Sequence, residues 1–381
     1  MTAVTKKKKD LANLWSFLII LGVYVAVFVA EQILPSTHMI FTVLQKGATY
    51  ALVAVSMNLL NGFTGLFSLG QAGFMLIGAY TYGILTIPVE YRASVYQYFD
   101  GGLVQFAMPV IPALICAGLV AAGFAFLIGL PVLRLKSDYL AIATLGFAEI
   151  IRAIFQWDKI GRLTNGSNML RLFPSFQDFE MKIFGATIRL QTTVPFLISG
   201  VCIAIIVLLL HSSYGRAFMA IRDDEIAAEA MGVNLSKHKE QAFCTSSFFA
   251  GIGGAMLAMF AGSVQAKSFT SAMTYEILLI VVIGGIGSVT GSCISSFLFV
   301  ACSEWWLRFL DQKQHIGNFE VPLLGNGFRL VVFSVIIMVV VLFFRQGIMG
   351  TRELPDLFRI KPGKKYRRRG TPVEKEVQGH E

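Results

Sequence analysis

The sequence predicts an all-α polytopic membrane protein, built as one bundle of helices that cross the bilayer. Of its 381 residues, 55% are apolar and only 14% are charged, whereas soluble proteins carry about 25% charged residues. The chain also has 36 Gly, a residue that is more frequent in membrane helices than in soluble ones. Apolar runs of roughly 20 residues, the length that crosses the hydrocarbon core, recur along most of the chain. The composition therefore favours one membrane domain over two or three soluble domains.

Eight apolar runs are predicted to be membrane spans. They lie at about 14–34, 39–60, 66–87, 105–133, 138–156, 193–211, 242–262 and 326–344. The first run follows four Lys, as in a signal peptide, but it is too long and no A-x-A cleavage site follows it. We therefore expect a retained helix. The chain then divides into a basic N-terminus (1–13), a membrane domain (14–344) and a basic tail (345–381).

Basic residues predict the orientation of the bundle. Four Lys precede the first span, and the tail 345–381 holds ten Lys and Arg. Cytoplasmic flanks of membrane helices are enriched in these residues, so both termini are expected in the cytoplasm. Anionic membrane lipid is the expected partner of the basic ends. The net charge of +9 does not indicate a nucleic-acid partner, because the positive charge flanks apolar segments.

Two cytoplasmic termini require an even number of crossings. The eight spans meet this requirement only if the apolar stretch 275–303 contributes none or two. Gly284, Gly285, Gly287 and Gly291 cluster in its middle. We therefore predict a broken segment, either a re-entrant pair or two short spans, within a total of about eight to ten membrane segments. The alternative is one continuous helix that packs closely through Gly287 and Gly291.

Polar residues at membrane depth leave two interpretations open. Asn58, Asn61, Ser68 and Gln71 lie in or just before the third span. Polar side chains are costly in hydrocarbon unless they face water or a partner. They therefore predict either a pore-lining helix or hydrogen bonds between helices.

Two further patterns predict contacts inside the bundle. Glu149 and Arg152 lie three residues apart on the fifth span and can pair on one helix face, in a structural role or along a path. On the span 242–262, small residues recur at every fourth position and predict a close helix–helix contact, within the chain or between subunits. They are Ala250, Gly254, Ala258 and Gly262.

The longest loop predicted on the cytoplasmic side is 212–241. Its stretch 217–231 is rich in helix formers and is expected to form one helix that ends at Gly232. Asn234 and Ser236 then offer caps for the next helix.

Two features of this loop helix indicate a docking role. Ile221, Ala228 and Met231 fall roughly on one face, and amphipathic surface helices bind either lipid or a protein groove. The acidic run 223–225 disfavours anionic lipid. A protein partner is therefore expected.

The sequence shows no motif for catalysis or metal binding. The five Cys are scattered without CxxC or CxxH spacing, so neither a metal site nor a disulfide framework is predicted. No G-x-x-x-x-G-K-[ST] phosphate-binding loop occurs. A pump built from this chain therefore needs another subunit to hydrolyse ATP.

Several segments together resemble the branched-chain amino acid ABC importer permeases of the LivM type. They are 58–74 and 77–80, similar to the N-terminal signature of the family; 133–152, similar to its central signature; 216–234, similar to its coupling loop; and 284–291, similar to its late glycine motif. Residues 164–169 resemble an outer-loop motif but carry Met169 where the family usually has another Gly.

The resemblance implies a type II ABC importer permease that moves branched-chain amino acids across the bacterial cytoplasmic membrane. It implies a second, LivH-like permease, two LivG/LivF-like ATPases and an extracytoplasmic binding protein as partners. The chain itself is then no enzyme and needs no cofactor, because the partners use the ATP. The expected ATPase contact consists of Arg222, Asp223, Asp224, Glu225, Ala228, Glu229 and Gly232. The expected translocation path includes Asn58, Gln71, Gly284, Gly285 and Gly287.

Two alternatives differ in substrate or in mechanism. A permease of the same family for urea or short amides is the nearest one, since the pore signatures do not separate the substrates. A channel or uniporter is more distant, because it has no need of an internal docking loop.

Overall fold

The computed structural model describes residues 3–35, 38–135, 137–183 and 186–306, with 315–316, 319–320, 332, 335, 338, 347–350 and 352–353. The predicted span 326–344 and the basic tail lie largely outside the described residues.

Helices make up most of the described chain. The α-helices are α1 Ala3–Ile33, α2 Met39–Asn58, α3 Gln71–Thr86, α4 Val89–Val95, α5 Val110–Val132, α6 Ser137–Phe155, α7 Gly161–Thr164, α8 Thr193–His211, α9 Ser213–Asp223, α10 Glu225–Ala230, α11 Leu235–Ala261, α12 Ser271–Gly284 and α13 Val289–Val300. Two π-helical segments, Leu59–Phe63 and Ala301–Trp306, continue α2 and α13. Short 3-10 turns lie at Asp158–Ile160, Phe176–Asp178 and Ala266–Ser268.

Two short β-hairpins lie in the connections between helices. Strands β1 Glu180–Ile183 and β2 Ala186–Arg189 pair antiparallel, with Glu180 opposite Arg189. Strands β3 His315–Ile316 and β4 Phe319–Glu320 form the second pair. Because no described strand exceeds four residues, the predicted all-α class is confirmed for the membrane bundle.

Four described helices are long and apolar enough to cross a membrane without a break. They are Met39–Phe63, Val110–Val132, Thr193–His211 and Leu235–Ala261. A fifth candidate consists of Tyr139–Phe155 and Asp158–Thr164, which meet at 63°. Leu18–Ile33 and Ser271–Gly284 are shorter apolar helices. The chain is therefore a multi-pass membrane protein.

Several predicted spans begin at other residues in the structure, for example at Ala3 instead of 14 and at Val110 instead of 105. The predicted span 66–87 becomes helical only at Gln71, because residues 64–70 are not helical. The predicted span 242–262 extends backwards, since α11 begins at Leu235 directly after Asn234. The Asn234 side chain accepts a hydrogen bond from the Lys237 amide at 3.0 Å, which confirms the predicted cap.

The centre of the bundle is the contact between α3 and α11. A Cβ at Gly78 would lie 2.0 Å from the carbonyl oxygen of Gly251, and one at Gly254 would lie 2.0 Å from that of Met75. Of the predicted small-residue stripe, Ala250, Gly254 and Ala258 are buried here. The stripe therefore packs within the chain, while Gly262 has a φ of 63° and caps the end of α11.

The predicted break in 275–303 is confirmed. Helices α12 and α13 are separated by residues 285–288. The Ser295 hydroxyl donates to the Ile280 carbonyl at 2.7 Å, and a Cβ at Gly284 would lie 2.5 Å from the Gly291 carbonyl group. The end of α12 thus lies beside the beginning of α13, while Ile280, earlier in α12, lies beside Ser295, later in α13. The two helices are therefore an antiparallel hairpin, called the α12–α13 hairpin below.

We expect Gly254→Val to lower the melting temperature of the detergent-purified protein, because its side chain would meet backbone atoms that cannot move aside. Overpacking of this kind typically costs about 1–3 kcal/mol. Gly123→Val is the matched control, since a Cβ at Gly123 in α5 meets nothing within 4 Å. Equal melting temperatures for the two variants would show that α3 and α11 are not in close contact.

Candidate functional site

The side chain of Asn58 lies at the centre of the most connected polar cluster in the described bundle. Asn58 ends α2 and is fully buried, with 0% exposure. Its Nδ2 donates to the Ser288 carbonyl at 2.9 Å and to the Ser292 hydroxyl at 2.8 Å. Its Oδ1 accepts from the Gly287 amide at 2.9 Å. One amide side chain thus holds the turn of the α12–α13 hairpin against the end of α2.

Glycines at this turn are required by the backbone conformation and by close approach. Gly285 and Gly287 have φ values of 117° and 87°, which side chains with a Cβ rarely adopt. A Cβ at Gly62 would lie 1.9 Å from Asn58 Oδ1 and 2.6 Å from the Gly287 amide nitrogen. The π-helical segment after α2 can therefore contact the hairpin turn only because residue 62 is a glycine.

The chain beyond the last predicted span returns to the same turn. The Ile348 and Met349 amides donate to the carbonyls of Ile283 and Gly284 at 2.7 and 3.2 Å. The Glu353 carboxylate accepts from the Val289 amide at 2.7 Å and from the next amide at 3.0 Å. A carboxylate at the N-terminus of α13 satisfies amides that have no partner inside the helix and is favoured by the helix dipole.

Residues 64–70 form a non-helical, partly buried segment between the π-helical segment and α3. The Asn61 side chain accepts from the Ser68 amide at 3.2 Å and donates to its carbonyl at 3.4 Å. The Leu69 amide donates to the Thr144 hydroxyl at 3.0 Å. Backbone without helical bonds is tolerated at membrane depth only where the protein or water satisfies it, and here side chains do so. This is why the span begins later than predicted.

The residues expected in the translocation path are enclosed in this conformation. Gln71 is only 3% exposed and donates to the Ser56 hydroxyl at 2.7 Å. Asn58 and the glycines at 284, 285 and 287 belong to the turn described above. The hydrogen bonds between helices, one of the two interpretations left open by the sequence, are therefore present. Their role in a path stays a prediction.

The loop 212–241 contains two short helices where one was expected. Asp224 has an extended backbone, with φ −161° and ψ 111°. Its carboxylate accepts from the Ile226 and Ala227 amides at 2.9 and 3.0 Å. The prediction of one helix over 217–231 is therefore wrong, because Asp224 ends α9 and caps α10. Gly232 has a φ of 85° and follows the C-cap of α10, so the helix stops at Gly232 as predicted.

The apolar residues of this loop face in two directions. Ile221 and Ala228 are buried, with 2% and 5% exposure, whereas Met231 is 86% exposed and Ile226 is 82% exposed. The expected common face of Ile221, Ala228 and Met231 is therefore wrong. The break at Asp224 redirects α10 and leaves two apolar side chains uncovered.

Arg222 connects the loop helices to the hairpin turn. Its Nη1 donates to the Gly62 carbonyl at 3.3 Å, and its Nε and Nη2 bond Asp223 Oδ1 at 3.1 and 2.9 Å. Gly62 in turn lies against Asn58 and Gly287. Arg222 of α9 therefore contacts the π-helical segment that packs against the hairpin turn. Glu225 of α10 pairs with Lys239 of α11 at 2.7 Å, while Glu229 is exposed.

The predicted pair on α6 is confirmed and has a third member. Arg152 Nε donates to Glu149 Oε2 at 2.7 Å, and the Ser271 hydroxyl donates to the other carboxylate oxygen. Ser271 is the first residue of α12. The pair therefore fixes the end of the hairpin that lies opposite its turn.

Two charged contacts were missed by sequence reasoning. Lys46 of α2 forms an ion pair with Glu304 of the second π-helical segment. Arg92, which is 1% exposed, donates to the carbonyls of Ile84 and Phe106 at 2.9 and 2.7 Å. Both join residues from separate predicted spans or loops, and no local spacing indicates them.

Tyr96, like Arg92, lies in the connection between α3 and α5. Its hydroxyl donates to the Leu163 carbonyl at 3.0 Å, and burial raises the pKa of Tyr96 to about 12. The phenol is therefore a neutral donor that ties this segment to α7. Within the described part of the chain, no group of three His, Cys, Asp or Glu side chains is placed to hold a metal ion.

Comparison with known proteins adds the following similarities. The family model described as "Branched-chain amino acid transport system / permease component" matches residues 39–344. The permease protein LivM of Escherichia coli K12 is 34% identical over 277 residues, 67% of this chain and 60% of LivM. The permease protein LivH of the same strain is 22% identical over 339 residues, 85% of this chain and 99% of LivH. A probable LivM of Methanocaldococcus jannaschii is 24% identical over 284 residues, 70% of this chain and 80% of that protein.

The chain thus spans about 60% of the length of LivM from Escherichia coli. No solved structure matches the chain.

We expect Asn58→Ala to release the hairpin turn. The substitution leaves the buried Gly287 amide without its partner, which typically costs about 1–3 kcal/mol, and removes one of the three donors to the Ser288 carbonyl. Hydrogen exchange followed by mass spectrometry should become faster at residues 285–292.

Gln45→Ala is the control on the same helix. Gln45 donates to the Gln191 carbonyl at 3.3 Å at the other end of α2. Faster exchange should then appear near residues 191–193 and not at the turn. Unchanged exchange at 285–292 in Asn58→Ala would show that Asn58 does not hold the hairpin turn against the end of α2.

Proposed function

Because the chain belongs to the family of branched-chain amino acid transport system permease components, we propose that it is the permease subunit of an ABC importer for Leu, Ile and Val. The match to residues 39–344 carries this proposal. The importer would lie in the bacterial cytoplasmic membrane, with both termini of this chain in the cytoplasm. Its partners would be a LivH-like permease, two LivG/LivF-like ATPases and an extracytoplasmic binding protein.

The uncovered face of α10 supports an ATPase contact. Ile226 and Met231 are 82% and 86% exposed, and the basic residues around the loop favour a position on the cytoplasmic side, outside the hydrocarbon. An exposed apolar pair on a short helix suits a groove on a protein partner. Glu229 and Gly232 are exposed as well. The chain carries no phosphate-binding loop, so the energy must come from that partner.

We assign Arg222 a transmitting role in this contact. ATP-driven closure of the two ATPases would move α9 and α10 together, since Asp224 joins them without a loop. Arg222 would pass the movement to Gly62, and from there to Asn58 and the hairpin turn. The enclosed side chains of Asn58 and Gln71 would then line a path only in the state in which the turn has moved.

The two alternatives are less well supported. The printed names of the relatives concern branched-chain amino acids and not urea or amides. A channel has no use for an uncovered apolar face at its cytoplasmic end.

Arg222→Gln should uncouple transport while leaving the ATPase bound. We expect uptake to fall at least about tenfold, which corresponds to about 1.4 kcal/mol, with the ATPase subunits still copurifying. Ile226→Asp should instead abolish copurification. Arg216→Gln is the charge-matched control, because Arg216 contacts only Ser213 in the described loop, at 3.0 Å. Normal uptake by Arg222→Gln would refute the transmitting role.

Uptake by the complete complex in proteoliposomes tests the substrate. Leucine should accumulate only when ATP is present on the cytoplasmic side of the membrane and the binding protein is present on the opposite side. ATP-dependent uptake of urea without leucine uptake would support the amide permease. Rapid equilibration of leucine by this chain alone, without nucleotide, would support a channel and contradict the importer.

A further inference from the structure

A cavity of about 670 Å³ lies between the end of α5 and the beginning of α11. Its wall on α5 includes Phe126, Leu130 and Arg134, and its wall on α11 includes Lys237 and Gln241. Arg134 directly follows α5, and Lys237 lies in the first turn of α11. Both cations are therefore at the predicted cytoplasmic surface, where the phosphates of a lipid leaflet lie.

The apolar part of the cavity opens sideways onto the membrane face of α5. Phe126 and Leu130 are 49% and 47% exposed and lie one helical turn apart. Leu127 between them is 67% exposed. An exposed apolar face of this kind on a spanning helix is in contact with acyl chains. The cavity is thus continuous with the lipid phase along one side.

The polar part of the cavity has unused bonding capacity for an anion with a hydroxyl group. Among the side chains that the structure describes, neither Arg134 nor Lys237 forms an ion pair, whereas the neighbouring Lys239 is bound to Glu225 at 2.7 Å. Gln241 Oε1 is buried and has no hydrogen-bond partner in the described chain. The one carboxylate of the lining, Glu240, faces Gly129 of α5.

We propose that this cavity binds one phosphatidylglycerol molecule. The phosphate lies between Arg134 and Lys237, since cationic pockets on the cytoplasmic side of membrane helices bind anionic headgroups. A headgroup hydroxyl donates to Gln241 Oε1, and an acyl chain lies along Phe126 and Leu130. Through Lys239 and Glu225 the bound lipid adjoins α10. This inference requires a membrane surface at this end of the bundle and does not depend on the transported substrate.

Native mass spectrometry of the assembled complex tests the site. After delipidation, dioleoyl phosphatidylglycerol is added, and the affinity of the tightest bound molecule is measured. The double variant Arg134→Gln/Lys237→Gln should bind it about 30-fold more weakly, because each cation at a membrane surface contributes about fivefold. Dioleoyl phosphatidylcholine should bind at this site no more tightly to the wild type than to the double variant.

The control removes equal charge from the opposite end of the bundle. Lys159→Gln/Arg171→Gln should leave the tightest phosphatidylglycerol in place. Equal weakening in both double variants would show general attraction and overturn the site. So would full competition by glycerol phosphate, which lacks acyl chains, or loss of the site when the second permease is assembled.

A second variant covers the case in which the charge variant does not fold. Leu130→Trp keeps both cations and places a fluorophore in the apolar wall. The fluorescence that the Leu130→Trp substitution adds should be quenched more strongly by brominated phosphatidylglycerol than by brominated phosphatidylcholine at equal mole fraction. Equal quenching would contradict the proposal.

Discussion

The structure depends on one constraint, that every backbone amide and carbonyl at membrane depth must find a partner within the protein. Continuous helices meet it by themselves. This chain interrupts its helices at 64–70 and at 285–288, and in both places side chains replace the missing backbone partners. Asn61 and Thr144 serve the first interruption, and Asn58 and Glu353 serve the second. At both interruptions, buried polar side chains thus lie where the backbone leaves the helix.

The hairpin turn at 285–288 contacts the π-helical segment that leads into 64–70, through Asn58 and Gly62. Elsewhere in the bundle, the helices are held by close backbone contacts such as that of Gly254 with Met75. Such contacts leave little room for one helix to shift along the other. At the interruptions, side-chain hydrogen bonds accompany equally close backbone contacts, such as that of Gly62 with Gly287. Arg222 reaches this region from outside the bundle. Under the proposed transmitting role, a force applied to α9 would reach the hairpin turn through Arg222 and Gly62.

Local features of the sequence predicted much of this arrangement, while long-range pairings were beyond it. Apolar length placed most helices within a few residues, and the glycines at 284–291 together with the even number of crossings predicted the hairpin. Asn58 was identified as a costly residue, but its partners are about 230 positions away. The contact of Arg222 with Gly62 and the pair of Lys46 with Glu304 are separated by 160 and 258 positions. The kink at Asp224 was missed because helix propensity is a weak guide where a capping side chain competes for the backbone.

Two carboxylates that cap distant helices have a consequence for biosynthesis. Glu31, at the end of α1, accepts from the Thr192 and Thr193 amides at 2.6 and 3.0 Å and so caps α8, while Glu353 caps α13. The ribosome makes Glu31 some 160 residues before its partner helix, but makes Glu353 about 60 residues after its own. During translation Glu31 is therefore made before α8, whereas α13 is made before Glu353. The cap of α13 can therefore form only after Glu353 has been synthesised, about 60 residues after the helix that it caps.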